Sequence, residues 1–275
     1  MRIQRISAAY FSPTGTTKSV AERIAEKVSE QLTASLFEKT QSFDFTLPQM
    51  RQVAKRFSSD ELVVFGMPVY AGRLPNVLLK YLETPEGNGA FAVPVVLYGN
   101  RNYDDALKEL WQLLERKNFR IIAAAAFIGE HSFSQVLGKG RPDDADMSIA
   151  DDFAARVSEK ISQNDYSTPV LPGYDEPLKG YYQPRDCLGN AIDIRKVTPK
   201  VSNSCTGCGY CADICPMGAI DPADIHAFVN ICIKCGACEK KCPVGARYYN
   251  DENYLYHKTE LEKQYARRAE PELFF

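Results

Sequence analysis

The chain has 275 residues, of which 45% are hydrophobic and 25% are charged, values that are ordinary for a globular protein. A formal net charge of −2 gives no reason to expect the basic face that nucleic-acid binding selects. The longest apolar run, residues 121–128, is too short to span a bilayer, and the N-terminus lacks the apolar core of a signal peptide. The sequence therefore predicts a cytoplasmic protein that binds neither nucleic acid nor membrane.

Residues 1 to about 163 alternate between strand and helix patterns. The segment from Thr17 to Leu32 places Val20, Ile24 and Val28 four residues apart, which is one apolar face of a helix. The alternation predicts a doubly wound α/β fold with a five-stranded parallel sheet. The predicted strands span residues 4–11, 34–40, 61–67, 91–99 and 119–128, and the predicted helices span residues 17–32, 50–57, 76–83, 103–117 and 150–161.

The pattern changes after residue 162. Four prolines and two glycines between residues 167 and 186 predict an extended linker. An internal repeat follows, in which CTGCGYCADICPMGAI at Cys205 is echoed by CIKCGACEKKCPVGAR at Cys232, 27 residues later. The tail begins as a charged helix, and we expect its terminal LFF to dock on a domain. The predicted units are an N-terminal domain at 1–164, a linker at 165–198, a cysteine-rich domain at 199–250 and a helical tail at 251–275.

The cysteines are concentrated in the repeat. Eight of the nine lie between Cys205 and Cys242, and residues 1–186 contain none, which favours metal ligation in a reducing compartment over disulfides. Each half reads C-x2-C-x2-C-x3-C-P and resembles the bacterial two-cluster ferredoxins. Zinc is the alternative, but a zinc site usually has two C-x2-C pairs and does not require the third cysteine that follows a second two-residue interval in each half. Cys187, outside the repeat, is predicted to be a small buried hydrophobe or an idle thiol.

The ferredoxin pattern implies a specific division of the ligands. The first three cysteines of each half bind one [4Fe–4S] cluster, and the fourth binds the other cluster. One predicted set is Cys205, Cys208, Cys211 and Cys242, and the other is Cys232, Cys235, Cys238 and Cys215.

A second motif, FSPTGTTKS, follows the first predicted strand. A triphosphate loop needs G-x-x-x-x-G-K-[ST] and a dinucleotide loop needs G-x-G-x-x-G, but this stretch offers only Gly15. Hydroxyls and helix N–H groups can still hold a phosphate monoester. A hydroxyl-rich turn that only caps the helix is the alternative. The motif resembles the flavin mononucleotide loop of flavodoxins, which implies an FMN site at the carboxyl ends of the strands.

Two further loops belong to this predicted site. MPVYAGRLP follows the third strand and YGNRNYDD follows the fourth, and the aromatic rings of Tyr70 and Tyr103 are candidates to flank a flavin. His131, in the loop after the fifth strand, is a weaker catalytic candidate, with a capped turn as the alternative. The predicted cofactor-binding residues are Ser12, Thr14, Gly15, Thr16, Thr17, Pro68, Val69, Tyr70, Ala71, Gly72, Gly99, Asn100, Arg101, Asn102 and Tyr103.

Together these motifs resemble a family of bacterial and archaeal fusion proteins, in which a flavodoxin-like FMN domain precedes a small α+β 2[4Fe–4S] ferredoxin domain. The resemblance implies one FMN and two [4Fe–4S] clusters. We expect an oxidoreductase that passes electrons between the clusters and FMN, fed by a low-potential donor such as a ferredoxin or an oxidoreductase, and reducing an unknown small-molecule or protein acceptor. A pure electron carrier without a small-molecule substrate is the alternative, and a redox sensor is a third hypothesis.

Overall fold

The structure, a computed structural model, describes residues 3–32 and 39–275. Its N-terminal domain alternates strands and helices. The strands are β1 (Arg5–Tyr10), β2 (Gln41–Asp44), β3 (Glu61–Pro68), β4 (Phe91–Tyr98), β5 (Arg120–Ile121) and β6 (Ala124–Ile128). The helices are α1 (Thr16–Gln31), α2 (Leu79–Leu82), α3 (Ala106–Arg116) and α4 (Asp144–Ser162), with 3₁₀ turns at Pro48–Arg51 and Asn76–Leu78.

The central sheet has the strand order β2-β1-β3-β4-β6, with every pair parallel. This is the flavodoxin-like order 2-1-3-4-5, so the predicted fold class is confirmed. The predicted fifth strand is interrupted at Ile122 and Ala123, and its first part, β5, pairs with the start of β4. A strand that the alternation did not predict, β9 (Glu272–Phe274), adds to β6 in antiparallel fashion. The terminal LFF therefore docks, as expected.

Helices cover both faces of the sheet because its central strands are apolar on both faces. On one face, α1 buries Val20, Ile24 and Val28 beside α4. On the other face, α3 buries Leu110 and Trp111. The sheet is thus held rigidly, and its loops present side chains at the carboxyl edge.

Several predicted boundaries differ from the structure. Residues 34–38 of the predicted second strand lie outside the described residues, and the second strand of the structure, β2, begins later, at Gln41. The predicted helix at 50–57 is replaced by the 3₁₀ turn at Pro48–Arg51. Helix α4 begins at Asp144 rather than Ala150, because Asp143 and Asp146 form a capping box. The charged run Arg141–Asp146 is not simply solvated, because Asp146 is buried and pairs with buried Arg141.

The C-terminal part of the chain, from residue 165 to residue 251, contains only short strands and one-turn helices. Residues 165–198 form no helix and no strand beyond an isolated bridge. The repeat lies between the paired strands β7 (Lys200–Val201) and β8 (Arg247–Tyr248), and each half has a one-turn helix, α5 (Tyr210–Asp213) or α6 (Ala237–Lys240). Helix α7 (Glu252–Gln264) then leads back to β9. Within residues 3–32 and 39–275, no helix is long and apolar enough to cross a membrane.

Candidate functional site

The eight repeat cysteines line two cavities of similar size. The first cavity, of about 330 Å³, is lined by Cys205, Cys208, Cys211 and Cys242, which we call the distal set. The second cavity, of about 340 Å³, is lined by Cys215, Cys232, Cys235 and Cys238, which we call the proximal set. The structure thus gathers the cysteines in the two groups that the ferredoxin spacing predicts. In the described residues, no group of three or more His, Cys, Asp or Glu side chains could hold a single metal ion.

Backbone geometry around both sets suits sulfur ligands. The N–H of Ala219 donates to Cys215 Sγ, and the N–H of Ala246 donates to Cys242 Sγ, both at 3.2 Å. These two bonds occupy equivalent positions in the repeat. Hydrogen bonds to cluster sulfurs are one of the means by which proteins tune iron–sulfur centres. The donors are therefore in place for a cluster in each cavity.

The proximal thiols need a positively charged partner in order to ionise. Burial raises the pKa of Cys235 to about 12 and also raises the pKa values of Cys232 and Cys238. Buried thiolates become stable when a metal neutralises them, because a coordinating thiol is deprotonated. The donor set fits a bound metal cluster.

A pocket of about 470 Å³ opens at the carboxyl edge of the N-terminal sheet. Loops after β1, β3, β4 and β6 supply its wall, which is the place where ligands bind in open α/β sheets. Eight predicted residues line it, namely Thr14, Thr16, Thr17, Pro68, Val69, Tyr70, Gly99 and His131.

The threonine loop is shaped to receive an anion. Gly15 precedes α1 with a φ of 105° and, as a glycine, offers no side chain to cap the helix, and the first turn of α1 carries no acidic residue. A Cβ at Gly66 would lie 2.9 Å from Thr17 Cγ2, and one at Gly129 would lie 3.0 Å from Thr16 Oγ1. The glycines therefore let the N-terminus of α1 approach the sheet, where the N–H groups at a helix N-terminus favour a phosphate.

Ser12 has a different place from the one predicted. Its hydroxyl accepts a hydrogen bond from the Lys18 N–H at 2.9 Å, and its own N–H donates to Thr46 Oγ1 at 2.8 Å. Its side chain is buried in the loop and is not part of the pocket wall. Ser12 therefore holds the shape of the loop.

Several other residues of the predicted flavin site do not line this pocket. Asn100 is buried and donates to the carbonyls of Tyr265 and Arg267, while its Oδ1 accepts from the Ala269 N–H. The hydroxyl of Tyr103 donates to Glu272 at 2.7 Å. These two residues therefore anchor the C-terminal segment. The predicted residues that do not line the pocket are Ser12, Gly15, Ala71, Gly72, Asn100, Arg101, Asn102 and Tyr103.

Arg101 belongs to the linker contact. Its guanidinium pairs with Asp104 and lies 4.6 Å from the ring centroid of Tyr182. Arg73 has a similar position, with Glu109 at 2.6 Å and the ring of Tyr181 at 5.2 Å. Both arginines hold the linker against the N-terminal domain, and neither lines the pocket.

His131 lines the pocket as a neutral imidazole. Its Nδ1 accepts a hydrogen bond from the Phe133 N–H at 3.1 Å, which assigns the ring proton to Nε2. Burial lowers the pKa of His131 to about 3, and the nearby His257, Lys240 and Arg101 contribute in the same direction. His131 therefore stays neutral at physiological pH and can donate one hydrogen bond through Nε2.

The second half of the repeat contacts this pocket directly. Cys235 of the proximal set is part of the pocket wall together with Tyr70 and His131. Burial raises the pKa of the Tyr70 phenol, and the sulfurs of Cys235 and Cys232 add to the rise. Lys240 Nζ lies 2.8 Å from Glu130 Oε2. The pocket and the proximal cavity are therefore adjacent.

Comparison with known proteins agrees on the cysteine-rich part. Residues 204–247 match the family model described as a 4Fe-4S dicluster domain. The chain therefore joins a flavodoxin-like fold to a 4Fe-4S dicluster segment. That combination, predicted from the motifs, is confirmed, and comparison with curated proteins yields no match.

Solved structures similar to the N-terminal domain include three flavodoxins. One from the domain Archaea is 14% identical, covering 58% of this chain and 99% of its own, with a TM-score of 0.38. The Streptococcus pneumoniae TIGR4 flavodoxin is 16% identical, covering 56% and 98%, with a TM-score of 0.39. Flavodoxin 2 from Bacillus cereus is 16% identical, covering 57% and 99%, with a TM-score of 0.37. All three scores lie below 0.5, and the fold assignment of this domain therefore depends on its own strand order.

Several functional positions had not been singled out from the sequence. Gly129 allows a close approach at the pocket, and Lys240 and Arg247 add charge near the cysteine sets. Aligning the two halves of the repeat exposes Lys240 and Arg247, because each differs in residue type from its counterpart 27 residues earlier. Cys187 is exposed, so the prediction that it is a small buried hydrophobe is wrong.

Proposed function

We propose that the protein is an FMN- and iron–sulfur-dependent oxidoreductase that passes electrons between two [4Fe–4S] clusters and a bound FMN. The observation that carries this proposal is Cys235, which lines both the proximal cavity and the pocket of the flavodoxin-like domain. A shared wall residue leaves little distance between occupants of the two sites. The match to a 4Fe-4S dicluster domain and the flavodoxin-like strand order support the same proposal.

The residues of the pocket divide by chemistry. Thr14, Thr16 and Thr17, with the N-terminus of α1, are the candidates to bind the phosphate. Tyr70 offers an aromatic ring, and neutral His131 offers one N–H donor. When bound, iron–sulfur clusters and a flavin supply one-electron and two-electron redox chemistry.

The position of the proximal set has further support from contacts between the domains. Arg51 donates to the carbonyl of Pro216 at 2.5 Å, and Lys240 donates to Glu130 and to the carbonyl of Ser134. Such contacts hold the two redox sites at a fixed separation. Two carriers on one chain also avoid a diffusional encounter.

Reconstitution under anaerobic conditions tests the proposal. We expect about eight iron atoms and one FMN per chain. In a stepwise reductive titration, electrons placed on the clusters should distribute to the flavin. Zinc in place of iron, absence of flavin, or a flavin that stays oxidised while the clusters are reduced would each contradict the proposal.

The acceptor remains a prediction and has its own test. The reduced protein can be mixed anaerobically with panels of small-molecule oxidants and, separately, with oxidised flavodoxin and ferredoxin. Turnover of a small molecule would support an oxidoreductase. Electron exchange with redox proteins alone would support the carrier that the sequence left as the alternative.

A further inference from the structure

Arg247 is a buried cation beside the distal set. Its side chain is 4% exposed, and its Nη2 lies 3.0 Å from Cys211 Sγ and 2.6 Å from the carbonyl oxygen of Ile225. Its Nη1 is buried and has no hydrogen-bond partner in the described part of the chain. An unpartnered buried nitrogen is unfavourable, and this one belongs to a side chain that lines the distal cavity.

The repeat supplies an internal comparison. Arg247 ends the segment CPVGAR, and its counterpart in the segment CPMGAI is Ile220. Ile220 is 3% exposed and lines the proximal cavity. Equivalent positions beside the two sets therefore carry a cation in one case and an apolar side chain in the other.

Other cations near the proximal set have different contacts. Lys234 Nζ donates to the carbonyls of Arg195 and Cys232 at 3.0 and 2.9 Å, and burial lowers the pKa of Lys234. Burial likewise lowers the pKa of Lys241, which interacts with Cys235. Arg247 contacts a sulfur of the distal set directly through Nη2 and lines the distal cavity, so we expect a smaller effect of Arg247 on the proximal set than on the distal set.

We propose that Arg247 raises the reduction potential of the [4Fe–4S] cluster held by the distal set, and raises it more than that of the proximal cluster. Reduction adds one electron from an external reductant to the cluster, and no bond is made or broken and no proton is taken up. The added negative charge is stabilised by the guanidinium through its N–H···S hydrogen bond and its charge, both in a water-poor setting. The inference depends on the proposed clusters but not on the proposed transfer to FMN.

Substitutions at Arg247 provide the test. Arg247→Gln removes the charge, Arg247→Lys keeps it, and Arg195→Gln removes an exposed arginine as a control. The potentials are measured by anaerobic redox titration followed by EPR, with Cys208→Ala and Cys235→Ala used to assign each signal. We expect Arg247→Gln to make the distal cluster about tenfold harder to reduce, which is about 59 mV for a one-electron couple. The proximal shift should be smaller, Arg247→Lys should restore most of the difference, and Arg195→Gln should change neither potential.

Equal shifts of both clusters, or no shift of the distal one at full iron content, would overturn the inference. A measurement on the unsubstituted protein covers the case in which the variants do not assemble. Protein labelled with ¹⁵N-arginine is reduced and examined by electron–nuclear double resonance, and coupling of the distal signal to an arginine nitrogen is expected. Absence of that coupling would also overturn the inference. Failure of the flavin to accept electrons would contradict the proposed function and leave these cluster measurements intact.

Discussion

The two halves of the cysteine repeat share their ligand spacing but not their surroundings. A glycine with positive φ begins the one-turn helix in each half, Gly209 at 74° and Gly236 at 76°. A Cβ at Gly236 would lie 2.5 Å from the carbonyl oxygen of Ser132, whereas one at Gly209 would meet no described atom within 4 Å. The second half is therefore seated on the N-terminal domain, and the first half faces outward at this position.

The repeat therefore contains two classes of positions, those that are the same in both halves and those that differ. The cysteines and glycines recur because ligation and tight turns require them in both halves. Lys240 and its counterpart Asp213 differ, since Lys240 pairs with Glu130 while Asp213 is exposed. Positions that break the repeat thus distinguish the half that contacts the pocket of the N-terminal domain from the other half, and repeat-matched substitutions can test each of them.

Loss of a proximal ligand should have the largest effect. Cys235→Ala and Cys208→Ala should each leave about four of eight irons, since each removes one of four ligands of a cluster. Cys235→Ala removes a ligand of the cluster next to the pocket. We therefore expect the redistribution of electrons between cluster and flavin to slow by at least about tenfold, which corresponds to about 1.4 kcal/mol of barrier. Cys208→Ala should leave the rate of this redistribution unchanged. Absorbance of both cofactors is followed after a pulse of substoichiometric electrons, and equal loss in both variants would contradict the arrangement.

The next largest effect should come from the paired glycines. Gly209→Ala places a non-glycine residue in the left-handed backbone conformation, which should lower the free energy of unfolding by about 1–2 kcal/mol. Alanine at Gly236 carries the same cost and also clashes with Ser132, which adds about 1–3 kcal/mol. Anaerobic thermal unfolding of both variants, with iron content checked beforehand, measures the difference. Equal destabilisation would show that the second half does not pack on Ser132.

Periodicity and residue spacing predict the parts of the structure that depend on residues close together in the sequence. The apolar stripe from Val20 to Val28 predicts a helix that packs on the sheet, and this helix is α1. The ferredoxin spacing predicts the two groups of cysteines that line the two cavities. The G-N-R-N-Y loop follows β4 as predicted, yet Asn100 turns to the carbonyls of Tyr265 and Arg267. Those partners lie more than 160 residues away in the chain, and no local pattern at Asn100 specifies them.

Removing the charge of Lys240 should have a moderate effect. Its Nζ bonds Glu130 at 2.8 Å and the Ser134 carbonyl at 3.0 Å, with the Lys240 side chain 10% exposed. Lys240→Met should cost about 1–2 kcal/mol, because water can still reach the Glu130 carboxylate. Its counterpart Asp213→Asn should change stability by less than about 0.5 kcal/mol. Chemical denaturation of iron-replete protein provides the measurement, and a Lys240 effect no larger than that of Asp213 would contradict an interdomain role.

The smallest effect should be the pH dependence of the Lys240–Glu130 contact. Burial alone would raise the pKa of Glu130, but hydrogen bonds from Lys240 and from the Gly140 N–H bring it below its usual value. Because the folded-state pKa is the lower one, the stabilisation is complete above the unfolded value of about 4.3 and is lost as pH falls through the folded-state pKa. Glu130→Gln should therefore destabilise the protein at pH 7, and the difference from the unsubstituted protein should shrink as the pH is lowered past about 4.

Thermal unfolding of the iron-replete protein at a series of pH values measures this difference, and the series ends at the pH at which iron is released, because thiolate ligation is lost there. Glu260→Gln is the matched control, since Glu260 pairs with Lys263 on an exposed surface and should give a difference below about 0.5 kcal/mol throughout. If Glu130→Gln behaved like this control, the contact would be an ordinary surface pair. The seating of the second half would then depend on Gly236, whose contact involves the backbone carbonyl of Ser132 and carries no titrating carboxylate.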